Sequence, residues 1–314
     1  MTAPKETLIW TIGSGGLIGS AIDQQSQHPY IAQSINWQDN FLALSDLKEN
    51  LADFTAQSIR YDNWAIVWAA GAATTATTAE RAWLELELFT KFLNELALTS
   101  TAKPGEFILI SSAGGIYAGS SNPPFTEATV PAPIGIYGDL KLSQERTAEE
   151  ILKSSQVGLS IARVSNAYGP GQDLKKLQGL ISLLALSTIQ REPINLFVPL
   201  STVRDFIFTA DLARMLQEMI YFPNGPGEPR IKILASENGT SLAYLIKVCQ
   251  NVFHRKIPIA MGSHPSSKVQ AADLRFKSLV ENCASQESTA LEVGIKVVYD
   301  DILHRTTQGS LTKV

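Results

Sequence analysis

The chain has 314 residues, 45% hydrophobic and 18% charged, with 21 Gly and 15 Pro spread along it; that is ample for a sizeable globular core and excludes coiled coil, collagen-like repeats and general disorder. A formal net charge of -4 leaves no basic surplus for nucleic acid, so no nucleic-acid partner is expected. Cys249 and Cys283, like His28, His254, His264 and His304, show no metal-ligand spacing, and the apolar stretch after Glu6 breaks at Gly13, so the expectation is no metal, no disulfide framework, no membrane segment and a reducing cytoplasm.

In chain order, LIWTI after Thr7 reads as a strand, GSGGLIGS as a turn, and the residues to about Gln27 as a helix. Weak strands are read near Ser34–Trp37 and Phe41–Leu44, followed by helical spacing in DLKENLADFTAQSI. WAIVWAAGAA is a continuous apolar run of the kind that forms a parallel strand covered on both faces. A helix over Ala79–Leu98, the strand FILIS, a Gly/Pro-rich loop to Pro133, a helix over Ile136–Lys153 and the strand LSIARV complete the first half. This alternation predicts an α/β fold with a Rossmann-type, doubly wound parallel sheet. From Asn166 the prolines multiply and the elements shorten, which predicts a smaller mixed lobe over 166–314, interleaved with the sheet of 1–165.

Three motifs carry chemistry. Gly13, Gly16 and Gly19 follow a strand and open a helix, where backbone can approach a pyrophosphate and free N–H groups can stabilise it; a tight turn in any α/β protein would look similar. Tyr137 and Lys141 form YxxxK on one helix face. A phenol, ordinarily near 10, is a poor base, and a neighbouring ammonium favours its phenolate, so the pair is a candidate proton-transfer unit. Ser111 and Ser112 end a strand at the crevice where open α/β sheets bind ligands. Cys249, among Leu245, Ile246, Val248 and Val252, reads as packing.

Taken together, these segments resemble the extended short-chain dehydrogenase/reductase family, in its nucleotide-sugar epimerase/dehydratase branch. GSGGLIGS is similar to the family's TGxxGxxG turn, VWAAGAA to VxHxAA, SSAGGIYA to SSxxVYG, and PFTEATVPAPIGIYGDLKLSQE to the YxxSK segment. RVSNAYGPGQ is similar to RxxNxYGPGQ, RDFIFTADLA to RDFxxVxDxA, and ENGTSLAYLI to GxGTSxxEL. The resemblance implies a NAD-binding domain over 1–165 and a mainly substrate-binding lobe after it. It implies catalytic roles for Ser112, Tyr137 and Lys141, with Ser111 an alternative to Ser112. Cofactor contacts are implied for Gly13, Ser14, Gly16, Leu17, Ile18, Gly19, Ala69, Ala70, Gly71, Tyr137 and Lys141, and substrate contacts for Ser111, Ser112, Asn166 and Arg204. For Arg204, pairing with Asp205 or Asp211 is the alternative to a substrate phosphate.

Departures also inform the reading. Leu140 stands where the family has Ser, and His264 lies near the place of an Arg that meets the substrate pyrophosphate. After Ser112 come Ala113 and Gly114, where dehydratases of the branch carry acid/base carboxyls, so elimination of water is not expected. From Glu6 to Leu47 there is no Lys or Arg, so the cofactor is expected to be NAD rather than NADP. Asp39 is the candidate for the adenosine ribose, and Asp46 with Leu47 resembles the third-strand pair that meets adenine. The expected reaction acts on a sugar or nucleotide-sugar secondary alcohol or ketone. Epimerisation through a transient ketone is the main reading; a ketoreductase or dehydrogenase and a non-catalytic dinucleotide sensor are the alternatives. A homodimer through the helices near 80–98 and 136–153 is expected, with Trp83, Leu84, Leu88 and Phe92 supplying apolar surface.

Overall fold

The apolar runs form five parallel strands: β1 (Thr7–Ile12), β2 (Asn63–Trp68), β3 (Gly105–Ser112), β4 (Val157–Val164) and β8 (Arg230–Leu234), in the order β1-β2-β3-β4-β8. The computed structural model describes residues 6–174, 179–262, 271–280 and 288–308. Every residue of β1, β2 and β4 is buried, as parallel strands covered on both faces require. Alternate side chains serve opposite faces. Trp10, Trp68 and Phe107 meet Phe54 of α2 (Asn40–Ser58) and Phe89 and Phe92 of α3 (Ala79–Leu98), and α5 (Ile136–Leu152) packs beside α3. On the other face Ile9, Val67 and Ile108 meet Ile22 of α1 (Leu17–Gln25) and Leu212 and Leu216 of α7 (Thr209–Tyr221).

Beyond β1 the structure departs from the sequence reading. Residues 34–37 form no strand, and Phe41–Leu44 belongs to α2. Asp39 caps that helix by accepting from the N–H groups of Phe41 and Leu42, while Ala43, Leu47, Leu51 and Phe54 bury one helical stripe. The apolar run Phe41–Leu44 looks like a strand only when cut off from the stripe it begins. The outer edge of β1 is instead met by a single parallel bridge, Ile9 to Pro29, with Tyr30 N–H donating to Ile9 O at 2.6 Å.

Residues of the second half return to the sheet through α7 and β8 and otherwise build a separate core. β7 (Val203–Phe208) pairs in parallel with β5 (Asn166–Tyr168) and β11 (Asp273–Leu274), and antiparallel with β9 (Gly239–Ser241). β6 (Ile194–Leu196) pairs with β10 (Ile259–Met261). α6 (Leu180–Gln190), α8 (Leu242–Phe253) and α9 (Leu291–Thr307) enclose Tyr168, Leu184, Leu245 and Val298. Cys249 packs among them, and burial pushes its thiol up to about 12; Cys283 and His264 lie outside the described residues. Among the described residues no helix is long and apolar enough to cross a membrane. On α3, Leu88 and Phe92 are buried in the core, contrary to the expectation that they add surface, whereas Trp83 is 61% and Leu84 41% exposed.

Candidate active site

The site begins where β1 ends. Gly13 adopts φ +94, and a Cβ there would sit 2.6 Å from Ala70 N, so the turn rests on backbone at the end of β2. Only a residue without a side chain fits that left-handed, crowded position. Gly16 N–H closes the turn on Gly13 O at 3.0 Å, and a Cβ at Gly19 would collide with the same carbonyl. Gly16 is the N-cap of α1 and offers no side-chain cap, which leaves first-turn N–H groups for an anion. Ser14 is exposed beside them, while Leu17 and Ile18 are half-buried, Ile18 against the sheet.

A second cluster lies at the end of β3. Ser112 caps the short helix α4 (Ala113–Ile116), its Oγ accepting from Gly115 N–H at 3.1 Å. With the acceptor side engaged, the hydroxyl proton remains available to donate to a substrate oxygen. Tyr137, in the first turn of α5, lays its ring against the same Gly115: a Cβ there would be 3.1 Å from Tyr137 Cδ1. Gly138 is equally required, because a Cβ on it would strike Gly115 O. Two bare backbones thus let α5 approach α4 and bring the phenol to the Ser112 turn. One helical turn on, Lys141 is buried, and its Nζ donates to Ile110 O at 3.3 Å. A Cβ on Gly71 would lie 3.9 Å from that Nζ, so Lys141 faces the Ala69–Ala70–Gly71 loop on which the glycine turn rests.

Ser111 is not part of this constellation. It is buried, and its Oγ donates to Glu145 Oε1 at 2.6 Å; the expectation that it touches substrate is corrected, because the pleat sends adjacent strand residues to opposite sides. Glu145 also receives Arg163 Nε at 3.1 Å and Nη2 at 2.6 Å, and Arg163 Nη1 donates to the Tyr117 hydroxyl. Burial opposes the Arg163 cation, yet the hydrogen bonds and field of Glu145 outweigh it and raise its pKa. This buried pair joins β3, β4, α4 and α5, the elements that carry Ser112, Tyr137 and Lys141.

The adenosine-side expectations fare differently. Leu47 is fully buried in the α2 stripe and cannot meet an adenine. Asp46 lies mid-helix, accepting Asn36 N–H at 2.8 Å, and Asp39 is engaged as the α2 cap. The reason is that neither strand read near 34–37 and 41–44 forms: what reads as a strand end in the sequence is the start of α2 in the fold. Lys48 is paired with Glu95 at 2.6 Å. Arg60 follows the C-terminal end of α2, just before β2 starts, so it lies at the edge of the sheet opposite the glycine turn.

Asn166 follows Val164, the register partner of Ser112, and its Nδ2 donates to Asp205 O at 2.8 Å. Arg204 is half-buried and pairs with neither Asp205 nor Asp211 among the described residues. Asp205 accepts from Ser165, Ser236 and Asn238, and Asp211 from Thr289 and Arg214. Burial lowers the Arg204 pKa, with Asp273 partly offsetting it; Asp273 is itself bonded to Arg275. A desolvated guanidinium in this state is suited to an anionic group. A cavity of about 720 Å³ between β7, β9 and residues 288–292 is bordered by Tyr168, Asn238, Thr240 and Arg275, and by none of Ser112, Tyr137 and Lys141.

Residues 12–233 match the NAD dependent epimerase/dehydratase family. The chain belongs to that family. It is similar to dTDP-L-rhamnose 4-epimerase of Burkholderia thailandensis, 25% identical over 174 residues that cover 55% of this chain and 47% of that protein. It is also similar to dTDP-4-dehydro-6-deoxyglucose reductase of Escherichia coli, 26% identical over 191 residues, 60% of this chain and 59% of the relative. The matches thus span about half the length of these curated relatives. The fold is similar to that of MoeE5 in complex with UDP-glucose and NAD, with TM-score 0.77, 15% identity and coverage of 96% and 99% of the two chains.

A Cβ on Gly15 would meet nothing within 4 Å, so the turn is open on its outer side, above the uncapped start of α1. Sequence reasoning missed Gly115, Gly138, Glu145 and Glu85. The first two were legible only as letters within SSAGGIYA and IYGDLK; Glu145 lies one turn after Lys141 on the same face, which i, i+4 spacing could have flagged. Glu85 had no local signal.

Proposed function

We propose that this protein is a NAD-dependent enzyme acting on a sugar or nucleotide-sugar secondary alcohol, and that the net reaction is epimerisation through a transient ketone. The observation that carries the reading is the convergence of Ser112, Tyr137 and Lys141 beside the loop that supports the glycine turn. Bound at that turn, NAD would take up the hydride and give it back. Tyr137 takes the proton of the substrate hydroxyl and returns it, while Ser112 donates a hydrogen bond to the reacting oxygen. Lys141 holds positive charge below the phenol and orients the cofactor ribose. Asn166 and Arg204 would receive the distal, anionic part of the substrate, where a nucleoside diphosphate fits a guanidinium that donates to Val203 O and, among the described residues, makes no ion pair with Asp205 or Asp211.

Return of hydride to the opposite face of the ketone inverts one carbon; release of the ketone makes the same machinery a dehydrogenase or reductase. The resemblance to both an epimerase and a reductase keeps that second outcome in view. Proton NMR of nucleoside-diphosphate hexoses incubated with the protein and catalytic NAD distinguishes them. Inversion at one carbon without net NADH supports the epimerase; consumption of NADH in proportion to product supports the reductase; no turnover of any sugar with bound NAD leaves the sensor.

The cofactor is read as NAD. Lys48 is held by Glu95 and Arg60 lies at the far end of the sheet, so neither cation that follows the 6–47 stretch, which has no Lys or Arg, serves a 2′-phosphate. A charge-assisted contact contributes roughly 1.5–3 kcal/mol, so NADP is expected to bind at least about tenfold more weakly than NAD. Titration of both into the apoprotein checks this. Equal affinities would show that another cation, such as Arg81 in the first turn of α3, reaches the phosphate.

The assembly is read as a homodimer through α3 and α5. Trp83 and Leu84 remain exposed on α3, and Ile136 at the start of α5 is 41% exposed, which a partner copy would cover. Light scattering at micromolar concentration is expected to give twice the chain mass of 34.1 kDa; a monomer mass rejects the dimer.

A further inference from the structure

The reading above uses Lys141 but leaves unexplained the acid that faces it. Glu85 lies on α3, half-buried, and its Oε2 accepts from the N–H groups of Ala72 and Ala73, each at 3.0 Å. Its Oε1 is 3.4 Å from Gln144 Nε2 on α5. Gly71 lies between this carboxylate and the ammonium: a Cβ there would be 3.2 Å from Glu85 Oε1 and 3.9 Å from Lys141 Nζ. One side chain therefore clamps the loop after β2, touches α5 and places a negative charge across a bare glycine from Lys141. Arg81, one turn earlier on α3, makes no ion pair with it among the described residues.

This arrangement is not what an ordinary surface glutamate does. An exposed helix acid gains little from a cation and loses side-chain entropy in holding one geometry. Here the carboxylate accepts two convergent backbone N–H groups that would otherwise be unpaired in a loop. Lys141 has three N–H donors, of which the described contacts engage one, on Ile110 O. That carbonyl holds the ammonium directly, and Glu85 lies beyond Gly71 without a direct ion pair to it among the described residues, so the carboxylate acts on Lys141 through its field. Gln144 holds the same carboxylate from α5: its amide nitrogen is directed to Glu85, and its Oε1 is buried with no partner among the described residues.

We infer that Glu85 is a positioning residue with two separable duties: it locks loop 71–73 into the shape that supports the glycine turn, and its charge sets Lys141 beneath the reacting phenol. The inference rests on the proposed NAD-dependent reading and names a part of its machinery. Two variants separate the duties. Glu85→Ala removes both the acceptor oxygens and the charge. Glu85→Gln keeps one acceptor oxygen for the two loop N–H groups, which both bond Oε2, removes the charge, and turns the oxygen facing Gln144 Nε2 into an NH2 that the Gln144 amide meets by flipping its own oxygen toward it.

Three readouts apply to each variant: amide hydrogen exchange at Ala72 and Ala73 in the apoprotein, the NAD dissociation constant, and kcat. Glu85→Ala is expected to speed exchange at both amides and weaken NAD about tenfold, the effect of losing a hydrogen bond to a charged group. Glu85→Gln is expected to leave exchange and NAD affinity within about twofold while kcat falls about tenfold. A purely structural role would move affinity, exchange and kcat together in both variants, and that pattern overturns the inference. Wild-type kcat in Glu85→Gln, or unchanged exchange in Glu85→Ala, overturns it as well. Wild-type protein that binds no NAD would instead overturn the reading it rests on, and the exchange result in the apoprotein would still report on the loop clamp.

Discussion

Tyr137→Phe is expected to lower kcat by about 10²–10⁴-fold, the usual contribution of a positioned proton-transfer group, with NAD affinity within about twofold of wild type. The variant loses only the hydroxyl. Its ring still packs on Gly115, the contact that a Cβ at that glycine would meet at 3.1 Å, so the approach of α5 to α4 is kept. Lys141 stays on Ile110 O and Ser112 on Gly115 N–H, and the glycine turn lies on different elements altogether. The rate loss therefore reports the missing proton acceptor rather than a displaced helix. Single-turnover hydride transfer with saturating NAD, beside a NAD titration of the same preparation, makes the measurement. Wild-type rates in Tyr137→Phe would remove the phenol from the chemistry and with it the proposed mechanism.

Gly16→Val is expected to weaken NAD on the order of 100-fold, equivalent to losing one or two charge-assisted hydrogen bonds of roughly 1.5–3 kcal/mol each. The position separates binding from folding. A Cβ at Gly16 would find Gly13 O at 3.3 Å and nothing closer, and its φ of -86 is open to any residue, so the substitution asks only a slight shift of the turn, not its collapse. The two extra methyl groups then stand over the first turn of α1, where the pyrophosphate must reach the N–H groups. Gly13 and Gly19 would make poor tests, since a Cβ at either strikes backbone within the turn itself and unfolding would mimic lost binding. Circular dichroism confirms that the variant is folded, and isothermal titration gives the affinity. Unchanged NAD binding in folded Gly16→Val would show that the dinucleotide does not lie on this turn.

The sequence by itself determined β1 to β4 of the sheet and the helices α1, α3 and α5 between them, because continuous apolar runs and 3.6-residue stripes are local signals that burial on two faces or one writes directly into composition. It also determined the glycine turn and the YxxxK pair, whose spacing is short enough to be read within one element. Phe41–Leu44 escaped that reading because a four-residue apolar run suits either period, and only the stripe continuing to Phe54 and the Asp39 cap decide for a helix. The tertiary structure alone decided between Ser111 and Ser112. Both end the same strand, yet Glu145 on α5, itself held by Arg163 of β4, engages the first from inside, while the second is left to cap α4 at the crevice. It alone brought Glu85 near Lys141, across 56 positions that no local periodicity connects, and it alone left Arg204 without an ion pair to Asp205 or Asp211 among the described residues. Contacts of that kind follow from how helices cross over a sheet, and a single chain of letters carries no phase for that crossing.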